Sequence, residues 1–266
     1  MINFQSDRKT KLSNYKLANI TTQKGEWRSF MYDHILPIDD IEKNIISSIR
    51  TDFWSYKKDA NIKLHQYFHH LNSSQALCFN LFFPLFYYDK ELLNYVLSDL
   101  MEIKNGKIIK CEFEKIIDSK EFTNFDFYIE HEDNRRTLFE IKYTEKKFAT
   151  TTGSNGHSSK YEKIYKPKLE MILKPEFLNQ DFVFSNYQIV RNLSYLNENT
   201  TIVFLFPKAN TDLQNTEKLI SEIILSKYLE QVKIIYLEDF TAQILHNEHL
   251  KSVHPIYVTF ENIYVH

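Results

Sequence analysis

The sequence predicts an α/β fold: a mixed central sheet, begun by an antiparallel meander of strands, flanked by helices and preceded by a mainly helical N-terminal part. Three observations carry that reading. Four segments with helical apolar spacing fill the first hundred residues. Three short segments dense in β-branched and aromatic residues follow the break at Asn105-Gly106. From Phe182 onward, helix and strand signals alternate.

In order, the helical segments are residues 41–49, 62–71, 74–83 and 90–101. The strands are 107–117, 124–130 and 136–144, the last two joined by the polar loop 131–135, which makes them a hairpin. Residues 150–159 are Thr, Gly, Ser, Asn and His for the most part and hold two of the four glycines of the chain, which reads as a mobile loop. Helix 182–196, strand 201–206, helix 216–229, strand 232–237 and helix 240–247 follow, so the later strands are expected to join the sheet through crossovers. No composition break divides the 266 residues, and one domain is expected: a helical part over 1–101, an α/β core over 102–240 and an extension over 241–266.

Composition narrows the class. Hydrophobic residues at 43% and charged residues at 26% are ordinary for a globular chain with a buried interior. Cys78 and Cys111, with no CxxC spacing, exclude a disulfide framework and a cysteine-rich zinc site, and fit a reducing cytoplasm. The opening segment lacks the apolar stretch of a signal peptide, and the longest apolar run, 79–88, is too short to span a bilayer and contains Pro84. That run reads as core. A net charge of -2 gives no global attraction to nucleic acid, so such a partner needs a local basic patch. Residues 142–174 supply one, with eight Lys against three Glu.

The hairpin carries the chemistry. Side chains alternate faces along a strand, so Phe125, Phe127 and Ile129 are expected on one face and Asp126 on the other. On the partner strand Phe139, Ile141 and Tyr143 share a face, leaving Glu140 and Lys142 together on the opposite one. With the turn centred on Asp133, paired residue numbers sum to a constant and Asp126 lies across from Glu140. Two carboxylates side by side on strands committed to burial cost several kcal/mol unless a cation sits between them. A hard divalent ion held by Asp126, Glu140, the main-chain carbonyl of Ile141 and waters meets that need; Mg²⁺ matches the donor set, and Mn²⁺ can substitute. Such an ion polarises a phosphoryl oxygen and acidifies its water, with Lys142 placed to orient that water or stabilise charge: phosphodiester hydrolysis.

Asp126 followed by Glu140-Ile141-Lys142 resembles the PD-(D/E)XK nuclease superfamily, with its restriction-endonuclease-like core, over roughly residues 90–237. Helix, three-stranded meander, helix and strand come in the family's order. The resemblance implies that the acidic pair binds Mg²⁺ and that Lys142 serves the attacking water. The proline that often precedes the aspartate is replaced by Phe125. Many members carry a glutamine on the helix after the catalytic strands, and Gln188 stands in that place; residues 73–80 are similar to the leading helix of some uncharacterised bacterial restriction-enzyme-like proteins. Glu114, on the first strand of the meander, is a candidate third carboxylate.

The resemblance thus implies a Mg²⁺-dependent endonuclease acting on DNA in restriction or other defence, and a homodimer is one way for such an enzyme to cut both strands. A ribonuclease on the same fold, for example one striking tRNA, and a nucleic-acid-binding module without turnover stay open. Lys146, Lys147, Lys160 and Lys163 are the candidate phosphate contacts. A Glu-x-Lys triplet is not diagnostic alone, since Glu102-Ile103-Lys104 and Glu145-Lys146-Lys147 also occur; only Glu140 and Lys142 lie in an apolar strand behind another that bears a central Asp. The competing reading is a solvated surface ion pair. His65 and His69, four apart with His70 beside them, read as residues at a helix's water boundary rather than a metal pair, and His246 and His249 likewise.

Overall fold

The computed structural model describes residues 3–118, 123–153 and 156–266; the middle of the 150–159 loop, positions 154 and 155, lies outside the described residues. Helix α1 (Phe4–Asn19) starts where the Asn3 side chain accepts the N–H of Ser6. Its buried face holds Arg8, Leu12 and Lys16. Arg8 donates to the carbonyls of Ile263 and Val265 and to the Tyr143 hydroxyl, and the Lys16 ammonium donates to the carbonyls of Gln23 and Ile35. Strands β1 (Gly25–Trp27) and β2 (Phe30–Tyr32) form a hairpin whose two turn residues, Arg28 and Ser29, take φ of 50° and 64°. A side chain at Gly25 would stand 2.3 Å from the carbonyl oxygen of Leu36, so only glycine fits.

Two of the expected N-terminal helices are not there. Of residues 41–49, the first four end a 3₁₀ segment, Ile38–Asn44, the rest are bend and turn, and the α-helix lies next along the chain as α2 (Arg50–Asp59). Residues 62–71 are irregular: Leu36 N–H bonds to the His69 carbonyl, Leu71 N–H to the His34 carbonyl, and Asn44 donates to the carbonyls of Phe68 and His70. The apolar spacing of that segment reflects burial of Ile62, Phe68 and Leu71 through tertiary contacts rather than a helical stripe. Helix α3 (Ser74–Tyr87), capped by Ser73, agrees with expectation and is buried on all sides from Gln75 to Phe86. Helix α4 (Lys90–Tyr95) runs on through a π-helical turn, Val96–Leu100.

Strands β3 (Ile108–Asp118), β4 (Thr123–His131) and β5 (Arg136–Ile141) form the antiparallel meander; β5 stops three residues short of the expected end. The crossover that follows contains α5 (His157–Lys160), a π-helical turn Tyr161–Tyr165, α6 (Lys166–Leu169), α7 (Gln180–Ser185) and α8 (Tyr187–Leu193). The single helix expected over 182–196 is therefore two, broken at Asn186, the residue that ends α7 and begins α8. Strand β6 (Thr200–Phe206) lies parallel to β5; α9 (Asn215–Ile223), which ends earlier than expected, leads to β7 (Val232–Tyr236), parallel to β6. Helices α10 (Leu237–Leu245) and α11 (His254–Tyr264) close the chain.

The result is a mixed five-stranded sheet in the order β3-β4-β5-β6-β7, flanked by helices, as the α/β expectation requires for a restriction-endonuclease-like core. On one face Phe127, Ile129, Phe139, Ile141, Val203 and Leu205 pack against α3, α10 and α11, with Phe82 stacked 4.6 Å from Phe127. On the other, Tyr128, Leu138, Ile202, Phe204 and Phe206 pack under α8 and α9. Residues 241–266 are part of the first layer: Tyr257 donates to the carbonyl of Leu81, and Asn80 donates to the Tyr264 hydroxyl at 2.8 Å. Among the described residues no helix is long and apolar enough to cross a membrane.

Candidate active site

The hairpin register is the one that brings the acids together. Phe127 pairs with Phe139, Tyr128 with Leu138, Ile129 with Thr137 and Glu130 with Arg136, so the turn is centred on Asp133. The ladder stops at Phe127↔Phe139, one position before Asp126 would pair with Glu140. There the Asp126 carboxylate takes over: its Oδ2 accepts the main-chain N–H of Ile141 at 2.6 Å, so a side chain replaces the backbone acceptor where the two strands part.

A matching irregularity lies on the other side of β4. The β3–β4 ladder runs from Phe113↔Phe127 to Lys115↔Phe125 with no pair between Glu114 and Asp126, and Glu114 has φ of 53°. This left-handed residue shifts the alternation of faces. Lys115 joins Glu112 on one side, 2.6 Å away, with its ammonium over the Tyr128 ring. Phe125 accordingly packs in the layer opposite to Phe127, edge-on to Tyr195 at 5.7 Å, which corrects the expectation that Phe125, Phe127 and Ile129 share a face. The break in alternation leaves Glu114, Asp126 and Glu140 on the wall of one cavity of about 430 Å³.

Glu140 is buried and held by three groups. Its Oε1 accepts from Gln188 Nε2 at 2.5 Å and lies 2.8 Å from the Lys142 ammonium; its Oε2 accepts from Asn192 Nδ2 at 2.8 Å. Gln188 is fixed at its other end, where its Oε1 accepts the N–H of Ala149. Sequence reasoning found Gln188 and missed Asn192, although a second amide four residues on lies on the same helical face. The Lys142 side chain is 12% exposed and its ammonium sits 5.6 Å from the centre of the Phe148 ring. Burial alone would lower its pKa, but Glu140, Glu145 and Asp126 outweigh that and hold it well above the usual lysine range. Lys142 is a cation here.

The other two acids are strained electrostatically. Burial pushes the Asp126 carboxyl well above the usual range, and Glu140 and Glu114 push it further, while Lys142 and the Ile141 N–H pull it back. Burial also raises Glu114; hydrogen bonds from Gln75 and Asn124, the latter at 2.8 Å, oppose this, and Glu140 adds to it. Three acids with Glu145 nearby thus share one cavity with Lys142 and Arg191, and each acid makes the ionisation of the others harder. Among the described residues, no three His, Cys, Asp or Glu side chains gather closely enough to make a coordination sphere by themselves. An ion here would rest on two carboxylates, a main-chain carbonyl and waters, the ligand set that Mg²⁺ prefers.

The structure also brings to the cavity residues that the sequence did not place there: Gln5 from α1, His65, Tyr67 and His70, Asn72 to Gln75, and Arg191, whose Nε is buried without a partner among the described residues. The four candidate phosphate lysines do not line the cavity. Lys146 and Lys147 are exposed just beyond Glu145, which does line it; Lys163 is exposed and Lys160 half-buried on the α5 segment. His65 and His69 are not an i,i+4 helical pair, because their segment is not a helix; the buried His69 ring packs on His70, at 4.6 Å. His246 Nδ1 bonds the Ala242 carbonyl, and the His249 ring lies on Tyr95.

No curated protein and no solved structure matches the chain. A family model described as restriction endonuclease associating with ARP matches residues 6–262, from the first turn of α1 to near the end of α11. With the acid-bearing hairpin, the clamp on Glu140 and the mixed sheet all inside that span, the chain belongs to this family of restriction endonucleases.

Proposed function

We propose that this protein is a Mg²⁺-dependent nuclease of the PD-(D/E)XK type that hydrolyses phosphodiester bonds, and that it is a DNA endonuclease of restriction or other defence working in the cytoplasm. One observation carries the reading: Asp126, Glu140 and Glu114 meet on one cavity wall with a buried, charged Lys142, and crowding three carboxyl groups there raises the cost of ionising them, a cost that a hard cation would relieve. DNA is favoured over RNA because the family is described as restriction endonucleases.

Asp126, Glu140 and the carbonyl of Ile141 would hold the ion, with Glu114 beside them as a further acceptor. When bound, Mg²⁺ polarises a phosphoryl oxygen and acidifies its water. Lys142 stays protonated, so its role is to donate: it orients the attacking water or stabilises charge on the phosphoryl group, and does not remove a proton. Gln188 and Asn192 act on Glu140, fixing its carboxylate so that no reorganisation is needed when substrate arrives. Nucleic acid would be drawn by the local excess of lysines over 142–174, with Lys146, Lys147, Lys160 and Lys163, outside the cavity lining, as the candidate phosphate contacts. The family's description also ties its members to ARP, which we carry over as a candidate partner. A second copy of the chain would provide the second cut of a duplex.

The test is cleavage of duplex DNA, single-stranded DNA and structured RNA with Mg²⁺ and with EDTA. The expected result is Mg²⁺-dependent cutting of DNA that Asp126→Ala, Glu140→Ala and Lys142→Ala each abolish while the far-UV dichroism stays native. Cutting that persists in all three variants overturns the assignment, and cutting of RNA alone moves it to a ribonuclease.

A further inference from the structure

Part of the cavity wall is built from rings rather than charges. Residues 65–70 lack regular structure and bring His65, Tyr67 and His70 to the cavity that holds Asp126 and Glu140. The Tyr67 and His70 rings lie 5.2 Å apart at 34°, and the His65 ring stands edge-on to Tyr67 at 5.2 Å. Trp27, from the β1–β2 hairpin, backs both, edge-on to Tyr67 at 6.1 Å and to His70 at 5.9 Å. Tyr67 and His70 are only partly buried, and His70 Nε2 has no hydrogen-bond partner among the described residues. Burial, with the neighbouring histidines and Lys9, pushes His70 down to about 4, so at neutral pH the His70 ring is uncharged. A wall of rings whose one unpartnered polar atom, His70 Nε2, is buried behind it does not suit a phosphate. It suits a flat heteroaromatic with hydrogen-bonding edges.

We propose that Tyr67 and His70, backed by Trp27, form a nucleobase-stacking subsite that holds an unpaired base beside the scissile phosphate. The proposal rests on the nuclease reading and deepens it, since it defines the substrate class: a strand with a base free of its partner, either already single-stranded or flipped out of a duplex. The acids and Lys142 handle the phosphate; the ring wall takes the adjoining base, and a base stacked there fixes the strand against the carboxylates. The backing by Trp27 gives the β1–β2 hairpin a task, since it braces the wall from behind.

The experiment compares binding of two 12-nucleotide strands of equal phosphate count, oligo-dT and its fully abasic analogue, to the full chain in Ca²⁺ buffer, each also as a duplex with a dA strand where one forms. The wild type is expected to bind oligo-dT at least about tenfold more tightly than the abasic strand, the scale of one base–aromatic stack. Tyr67→Ala is expected to erase that preference and Tyr67→Phe to keep it. If Tyr67→Ala does not fold, the exposed His65→Ala shows a smaller loss of the same preference. Equal wild-type affinity for the two strands, with Mg²⁺-dependent cleavage intact, overturns the subsite and leaves the nuclease reading standing. No binding of either strand together with no cleavage overturns the nuclease reading itself. A Tyr67→Ala loss of binding on the single strand but not on the dT·dA duplex assigns the subsite to single strands, and a loss on both assigns it to flipped bases.

Discussion

Replacing Lys142 with methionine keeps the length and apolar stem of the side chain beside Phe148 but removes the ammonium 2.8 Å from Glu140, where the two side chains are only 12% and 4% exposed. Breaking a buried ion pair from one side leaves the other charge without compensation, at a cost of about 3–5 kcal/mol where nothing else helps. Glu140 keeps two amide donors, from Gln188 and Asn192, and the site opens onto a water-accessible cavity, so the expected loss is nearer about 2–3 kcal/mol. At this chain length that lowers the melting temperature by about 4–10 °C. Thermal and urea unfolding in EDTA measure it. The double variant Lys142→Met/Glu140→Gln carries neither charge and is expected to recover most of the loss, a coupling that only contacting residues show. Lys142→Met melting like the wild type, or a double variant weaker than the single one, would refute the argument that this pair is buried and mutually dependent.

Asn192→Ala removes one donor from a buried carboxylate oxygen and is expected to cost about 1–3 kcal/mol and to lower kcat for cleavage while leaving the Kd for DNA unchanged, which steady-state kinetics beside a binding isotherm will check. Asn192→Asp, which adds an acid beside Glu140, is expected to be worse than alanine in EDTA and to regain part of its stability with Mg²⁺. Burial, with Lys9 and Lys16 nearby for His34 and His69 and His34 nearby for His70, pushes both histidines down to about 4. A histidine depressed in the folded state gives stability that is complete above pH 6.5 and is lost as pH falls towards 4. On the order of 1–2 kcal/mol per histidine, discounted for partial exposure, is expected to vanish across that window, and a His34→Gln/His70→Gln variant is expected to show a shallower acid slope in melting temperature. Gly25→Ala drives a Cβ into the Leu36 carbonyl and is expected to destabilise the protein by about 1–3 kcal/mol, read by urea unfolding.

The hairpin was legible because two apolar strands flank a short polar loop, and a single integer, the turn centre at Asp133, then fixes every pair down to Phe127↔Phe139. Helix α3 was legible for a related reason, an apolar run with a Ser cap. Helix α1 was not, since its inner face is Arg8, Leu12 and Lys16, two cations satisfied by distant carbonyls, and hydrophobic spacing has nothing to register there. The β1–β2 turn hid for another reason: Arg28 and Ser29 adopt left-handed backbone without the glycine or asparagine that advertises it. Residues 62–71 misled because burial by tertiary contact can mimic a helical period over ten residues.

In the site, residue types at strand spacing pointed to Asp126, Glu140 and Lys142. The left-handed Glu114, and the change of layer from Phe127 to Phe125 on the neighbouring strand, leave no mark in a sequence read by alternation alone. The wall of His65, Tyr67 and His70 comes from a segment some sixty residues before the hairpin, and only the fold brings it to the acids.

Crystals of the wild-type chain grown with Mn²⁺ and measured at the manganese absorption edge test the central claim most directly. The account predicts one anomalous peak between the Asp126 and Glu140 carboxylates, within bonding distance of both and of the Ile141 carbonyl, that disappears in Asp126→Ala. Manganese bound elsewhere with that position empty, or the two carboxylates turned to opposite sides of the sheet, would contradict it.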